Sequence, residues 1–217
     1  MPALAARMAR SDPPVMRRSV FTYALLSLAA LGGCAHAGGA AAAAATSAAP
    51  ATLVVVVRHG EKAPDPGNDP VLSAAGMARA VALDSAVRGM PITDVVVSQL
   101  QRTRLTAASF ITRSGAVVHV VPISAAGVPA HIQAVADTVR SITRVAGHGV
   151  LVVGHSNTVT AIVEALGGPA SRPLCDSQYS QFFALRGAAD GRVTLARSTY
   201  GATDPVDPAC AATMSKP

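Results

Sequence analysis

Residues 53–62 read LVVVVRHGEK, and this stretch decides the fold. Leu53 to Val57 is an unbroken apolar run, four of its five residues β-branched. Such a run suits a strand buried on both faces, as in a parallel sheet covered by helices on each side. It delivers Arg58 and His59 to its carboxyl end, and Gly60 then permits a tight turn. In open α/β sheets, ligands bind beyond the carboxyl ends of the strands. A second run, Val150 to Val153, ends in Gly154-His155-Ser156-Asn157. A shorter one, Val95 to Val97, leads into Ser98-Gln99-Leu100-Gln101-Arg102. Three strand ends therefore carry Arg58, His59, Arg102 and His155 with few acids among them. That set suits an anionic phosphoryl group, because a guanidinium presents a planar fork of donors to phosphate oxygens.

The remaining periodicity predicts an α/β domain. Ser73 reads as an N-cap, with Leu72 as a hydrophobic staple, for a helix to about Arg88 whose apolar face is Ala74, Met77, Ala78, Val81 and Val87. Strands are predicted at Asp94 to Ser98 and Val117 to Pro122, with a helix from Arg102 to about Thr112 between them. A further helix, Pro129 to Val145, carries Ile132, Val135, Ala136, Val139 and Ile142 on one stripe. Asn157 to Leu166 is read as the helix after the fourth strand, with Asn157 as its cap. Phe182 to Arg186 and Arg192 to Ser198 are read as two closing strands. Strands alternating with helices imply a three-layer α/β/α sandwich on a mostly parallel central sheet.

The three motifs, in this order and each behind an apolar run, resemble the histidine phosphatase superfamily (phosphoglycerate mutase-like), in its short single-domain branch. Arg58-His59-Gly60-Glu61, Ser98 to Arg102 with Thr106-Ala107, and Gly154 to Asn157 carry the resemblance. It implies that His59 is the nucleophile and becomes a phosphohistidine that water then cleaves. It implies that His155 donates to the phosphoryl oxygens as charge develops, and that Arg58 and Arg102 bind the phosphate. Spacing alone does not separate Arg102 from Arg104; the resemblance selects Arg102. Gly60, Glu61, Ser156 and Asn157 are accessory candidates. Glu61 is read as orienting a water, pairing with Arg58 or being a plain loop charge. A neutral imidazole attacks phosphorus well when one ring nitrogen is held as N–H and the other is free. A metal site would need more carboxylate or thiol partners than Glu61 alone, so neither metal nor other cofactor is expected. His119, His131 and His148 lie outside any motif and are read as surface or packing residues.

The formal charge is +6, and residues 1–33, with four arginines and one aspartate, account for half of it. The rest is too weakly basic, and too poor in Lys/Arg clusters, for a nucleic-acid partner. Residues 1–34 read as a signal peptide: Arg17 and Arg18 precede the apolar stretch Phe21 to Leu31. Leu31-Gly32-Gly33-Cys34 resembles a lipoprotein signal with Cys34 taking lipid; a plain secretory signal cleaved near Ala35 to Ala37 is the alternative. Residues 35–51, almost all Ala and Gly, read as a tether. Residues 52–203 are the expected domain and 204–217 a C-terminal tail. The chain is expected to be exported to a bacterial periplasm or envelope and to touch a membrane only through the lipid. In an oxidising compartment Cys175 and Cys210 can pair, two lone thiols being the alternative.

The expected partner is a small phosphorylated substrate or a phosphoprotein, and the expected reaction is phosphate hydrolysis. The alternatives are a mutase returning the phosphoryl group to substrate, which a short chain disfavours, and a non-catalytic phospho-ligand binder. One element of the family's pattern is missing. Many relatives protonate the leaving group with a carboxylic acid after the third strand or beside the second histidine. Here Pro122 to Ile132 holds no carboxylate and Ser156 follows His155. Asp65, Asp69, Asp176 and Glu61 remain as open substitutes.

Overall fold

The computed structural model describes residues 52–65, 67–188, 190–208 and 210. The expected signal segment with Cys34, the tether and the last seven residues lie outside them. Ten elements follow one another: β1 (Thr52–Arg58), α1 (Ala74–Ala86), β2 (Asp94–Val97), α2 (Gln101–Ser114), β3 (Val117–Val120), α3 (Gly127–Thr143), β4 (Val150–Gly154), α4 (Val159–Ala165), β5 (Gln181–Gly187) and β6 (Val193–Thr199). The strands form one sheet in the order β3-β2-β4-β1-β5-β6. β1 to β4 are mutually parallel, β5 is antiparallel to β1 and β6 antiparallel to β5, so the predicted mostly parallel sheet is found.

The β1 run explains the layering. Its side chains alternate between two cores, one for each helical layer. Leu53, Val55 and Val57 join Leu83 and Val87 of the α1 region and Ala107 and Phe110 of α2. Val54 and Val56 join Val135 and Val139 of α3 and Ile162 and Val163 of α4. β1 is central and pairs with β4 in register Arg58↔Gly154. That register brings the two histidine-bearing strand ends side by side. β2 lies against the other edge of β4, aligning Val97 with Val153. The ends that carry Arg58–His59, Ser98 and His155 are therefore neighbours although they are far apart in sequence.

Two local expectations are corrected. The α1 face expected to be apolar is mostly exposed: Met77 is 48% and Val81 59% accessible. The helix buries Gly76, Arg79, Ala80, Leu83 and Asp84 instead. Polar residues can occupy that face because each has a partner: Arg79 with Glu61, and Asp84 with Arg113 and Arg88. Asn157 is not a helix cap. α4 starts two residues later, after Thr158, whose Oγ1 accepts from the His155 backbone N–H at 2.9 Å. Ser73 does cap α1, its Oγ accepting from Gly76 N–H at 3.2 Å.

His119 and His148 share one partner at the amino ends of the strands, away from the site. His119 Nε2 and His148 Nδ1 hydrogen-bond the two carboxylate oxygens of Asp94 at 2.7 and 2.9 Å. Burial opposes the Asp94 charge, but these bonds and that from Thr93 outweigh it and lower its pKa.

Candidate active site

Arg58 and His59 are buried, at 2% and 4% accessibility, and are fixed from three sides. The His59 backbone N–H donates to Gly154 O at 3.0 Å, extending the β1–β4 ladder by one residue. Gly60 N–H donates to Thr106 Oγ1 of α2 at 2.8 Å. Gly76 at the start of α1 packs against the same turn. A Cβ on Gly60 would lie 2.8 Å from Gly76 O, and one on Gly76 would lie 2.2 Å from Glu61 O. The turn after His59 and the first turn of α1 thus meet backbone to backbone, and both glycines are required by close approach. In a helix, Ala is normally favoured over Gly by about 1 kcal/mol. Here the clash involves backbone that cannot rotate away, and overpacking costs about 1–3 kcal/mol. Gly76→Ala is therefore expected to destabilise the protein by about 1–2 kcal/mol, read as a lower urea midpoint at unchanged slope.

The ring of His59 is oriented by its own turn. His59 Nδ1 lies 2.7 Å from Gly60 O, so Nδ1 carries the proton and donates, and Nε2 is left with a free lone pair. Burial is the main cause that lowers the His59 pKa to about 3; the neighbouring His155, Arg58 and Arg102 add to it. The His155 ring stands 5.2 Å from the His59 ring, edge to face. Burial followed by the charges of Arg102, His131 and Arg58 brings its pKa down to about 4. His155 Nε2 is 3.2 Å from Ser98 Oγ. Thr103 Oγ1 can donate to Leu100 O at 2.9 Å while the Ser98 hydroxyl donates to Thr103 at 3.1 Å. In that chain Ser98 accepts from His155, which makes His155 a donor.

The two arginines hold opposite walls. Arg58 Nη1 donates to the carbonyls of Cys175, Asp176 and Gln178. Arg102 lies at the start of α2, with Nη1 3.8 Å from Asp69 of the loop after β1. Arg104, the alternative by spacing, is exposed. Arg58 Nε and Arg102 Nε are both buried with no hydrogen-bond partner. A buried donor without an acceptor is costly, and the costliest are those of charged groups. Two such guanidinium edges beside two neutral imidazoles make a cradle that an anion with several acceptor oxygens would satisfy.

The accessory candidates divide. Gly60 belongs to the turn that holds His59. Glu61 neither pairs with Arg58 nor stands free: its carboxylate accepts from Arg79 Nε at 3.0 Å and Nη2 at 2.7 Å. Arg79 also donates to Tyr200 O and Ala202 O, tying the β1 turn to the segment after β6. Asn157 is exposed and outside the cradle, whereas Ser156 Oγ reaches Asp176 at 3.4 Å. Cys175 and Cys210 are bonded, S–S 2.07 Å, at the back of the Arg58 wall. Sequence reasoning missed Arg79 and Tyr179, and gave Thr106 only as part of the resemblance, without its bond to Gly60. Arg79 had a signal, namely its place three residues beyond the α1 glycine on the buried face. His131 is buried, with Nδ1 3.3 Å from Pro122 O at the end of β3. Burial lowers its pKa too.

Comparisons with known proteins bear on the sequence pattern and the fold. The sequence pattern of the histidine phosphatase superfamily (branch 1) matches residues 54–123. No curated protein matches the chain significantly. Among solved structures, a candidate phosphohistidine phosphatase SixA from Nakamurella multipartitia is 26% identical with a TM-score of 0.51, covering 71% of this chain and 99% of its own. A candidate SixA from Agrobacterium tumefaciens is 22% identical with a TM-score of 0.50, covering 70% and 98%. A candidate α-ribazole-5′-phosphate phosphatase from Escherichia coli is 17% identical with a TM-score of 0.50, covering 72% and 100%. The latter two bear on the fold alone. The Arg58-His59-Gly60 strand end lies inside the stretch that matches the histidine phosphatase superfamily (branch 1) pattern, and the chain is similar in fold to the solved structures of that kind.

Proposed function

We propose that the protein is a phosphatase that transfers a phosphoryl group to His59 Nε2 and then to water. The observation that carries this reading is the Nδ1–H···O=C bond from His59 to Gly60, which leaves Nε2 unprotonated among buried cations. The Arg58 and Arg102 edges neutralise the transferring oxygens, and positioning with charge neutralisation is most of what phosphoryl transfer needs. His155 donates its Nε2–H to an oxygen as negative charge grows, exchanging the Ser98 hydroxyl for the phosphoryl group. The P–O or P–N bond to the leaving group breaks as the bond to His59 forms, and water later returns His59 to its free state. The substrate class favoured is one with a good leaving group: a phosphohistidine, acyl phosphate or aryl phosphate. The structural neighbour described as a phosphohistidine phosphatase supports the P–N member of that class. The chain is further read as exported and anchored through lipid on Cys34, which mass spectrometry of membrane-extracted protein tests: an unmodified residue 34 ends that part.

Trapping the intermediate tests the chemistry. Rapid quench into alkaline denaturant after mixing with an aryl phosphate is expected to give up to one phosphate per chain on His59, stable to base and lost in acid. An acid-stable phosphoserine in its place would refute the intermediate.

The pH dependence follows from the same burial. The folded pKa of His59 is about 3 and that of His155 about 4, against about 6.5 for the unfolded chain. In that window the unfolded chain binds more protons, so stability falls as pH falls. It is fully present above about pH 6.5 and is lost progressively toward pH 3–4. Both imidazoles are expected to stay neutral from pH 5 to 8 in the free protein. A bound dianion favours their protonated forms, so phosphate binding at pH 5 should take up protons. NMR titration of the histidine Cε1–H signals, with and without phosphate, reads both effects. Two midpoints near 6.5 in the free protein would contradict the argument.

A further inference from the structure

We infer that the segment Cys175 to Tyr179, strapped by the Cys175–Cys210 disulfide, is the positioning element of Arg58, so that the affinity of the site for a phosphoryl anion depends on that bond. The inference rests on the phosphatase reading above.

Arg58 Nη1 donates to Cys175 O at 2.9 Å and to Asp176 O and Gln178 O at 3.0 Å. One terminal guanidinium nitrogen carries two hydrogens, so three carbonyls at these distances saturate it. The plane of the guanidinium is fixed as well, because its Cζ lies 3.9 Å from the centroid of the Tyr179 ring. Nη1 and the ring plane are thus committed to the protein, and Nε is left buried without a partner. Nε and Nη2 form the edge that remains for a ligand. Asp176 stands 3.6 Å from Nη2, but its side chain is 97% exposed, so it is a weak competitor that an anion can displace.

The cradle is main chain in an irregular segment between α4 and β5. Its shape is set by what ties the segment down. Asp204 accepts from the Tyr179 and Ser180 backbone N–H groups and from the Ser180 hydroxyl at 2.7–2.8 Å. That secures the Tyr179 end. The Cys175 end, which supplies the first carbonyl, is secured covalently to Cys210, 35 residues away. A dithiol reductant would cut this tie by exchange: the S–S bond breaks, two protein thiols form, and the reductant closes its own disulfide. Arg58 would then keep its charge and its place on β1 but lose the fixed edge that aims Nε.

The test is inorganic phosphate affinity, measured by titration with ³¹P NMR detection at a temperature where circular dichroism shows the reduced protein folded. Reduction of the intact chain, or Cys175→Ser, is expected to weaken phosphate binding by about tenfold, the scale of one charge-assisted hydrogen bond. In an Arg58→Lys background the same cut should change affinity little, since the strap acts through the guanidinium. In an Arg102→Lys background the full effect should persist. A merely structural disulfide would shift the melting temperature without this pattern. If the reduced protein does not stay folded, Tyr179→Leu against Tyr179→Phe gives the answer. Leu is expected to weaken phosphate binding, and Phe, which keeps the aromatic face, to restore it. Equal phosphate affinity in oxidised and reduced folded protein, equal losses in the wild-type and Arg58→Lys backgrounds, or equal binding by the Leu and Phe variants would overturn the inference. An oxidised wild type that binds no phosphate would overturn the phosphatase reading and this inference with it.

Discussion

His59→Ala is expected to reduce kcat by roughly 10⁴-fold or more, the loss seen when an enzyme's covalent nucleophile is removed. The reason lies in the geometry of one ring. Its Nδ1–H is held 2.7 Å from Gly60 O, and burial keeps the second nitrogen unprotonated. Among the other described imidazoles His131 comes nearest, with a longer bond from Nδ1 to Pro122 O, but Arg58 and Arg102, which bear on His59, are not among the groups that lower its pKa. His155 faces Ser98 through Nε2, and His131 sits against Pro122 O. A neutral Gln at position 59 can imitate the donor but not the nucleophile, so His59→Gln should be as inactive as His59→Ala. Both should still bind phosphate, because the guanidinium edges are untouched. His155→Ala should be milder, at about 10²–10³-fold, the usual cost of one oxyanion donor. Steady-state turnover of an aryl phosphate, with phosphate affinity as the folding control, checks all three. Turnover within tenfold of wild type in His59→Ala would reject the assignment.

The second large effect concerns the leaving group. The carboxylates that the sequence left open as proton donors are engaged elsewhere. Glu61 accepts from Arg79, Asp69 accepts from the Gln101 backbone N–H, and Asp65 accepts from Gly67 N–H. Asp176 lies on the solvent side of Arg58. None of these contacts aims a protonated carboxyl at a departing oxygen, and such a donor is typically worth about 10²–10⁴-fold. Substrates that leave without protonation should therefore be favoured by about that factor over alkyl phosphates. The measurement is kcat/KM across phosphoesters of graded leaving-group pKa, with a steep negative slope expected while phosphorylation of His59 limits the rate. A flat slope under that condition would mean a general acid is present. Asp176, the exposed carboxylate beside Arg58, is then the group to replace.

The sequence by itself determined the layers. A doubly buried valine run at β1 and another at β4 leave few solutions other than a covered parallel sheet, because each face of such a strand must be packed. It also put Arg58, His59, Ser98 and His155 at the carboxyl ends of strands, where the fold brings them together. Tertiary structure alone decided the rest. Glu61 belongs to Arg79 because α1 turns its polar face, rather than Met77 and Val81, toward the β1 turn. Periodicity cannot foresee this, because an ion pair pays for a burial that hydropathy counts as unfavourable. Asn157 loses the cap position to Thr158, whose hydroxyl caps no helical N–H but accepts from His155 N–H. The wall behind Arg58 comes from carbonyls of Cys175, Asp176 and Gln178, at sequence separations of 117 to 120. Main-chain acceptors have no residue signature, so only the folded chain could show that this loop aims the guanidinium.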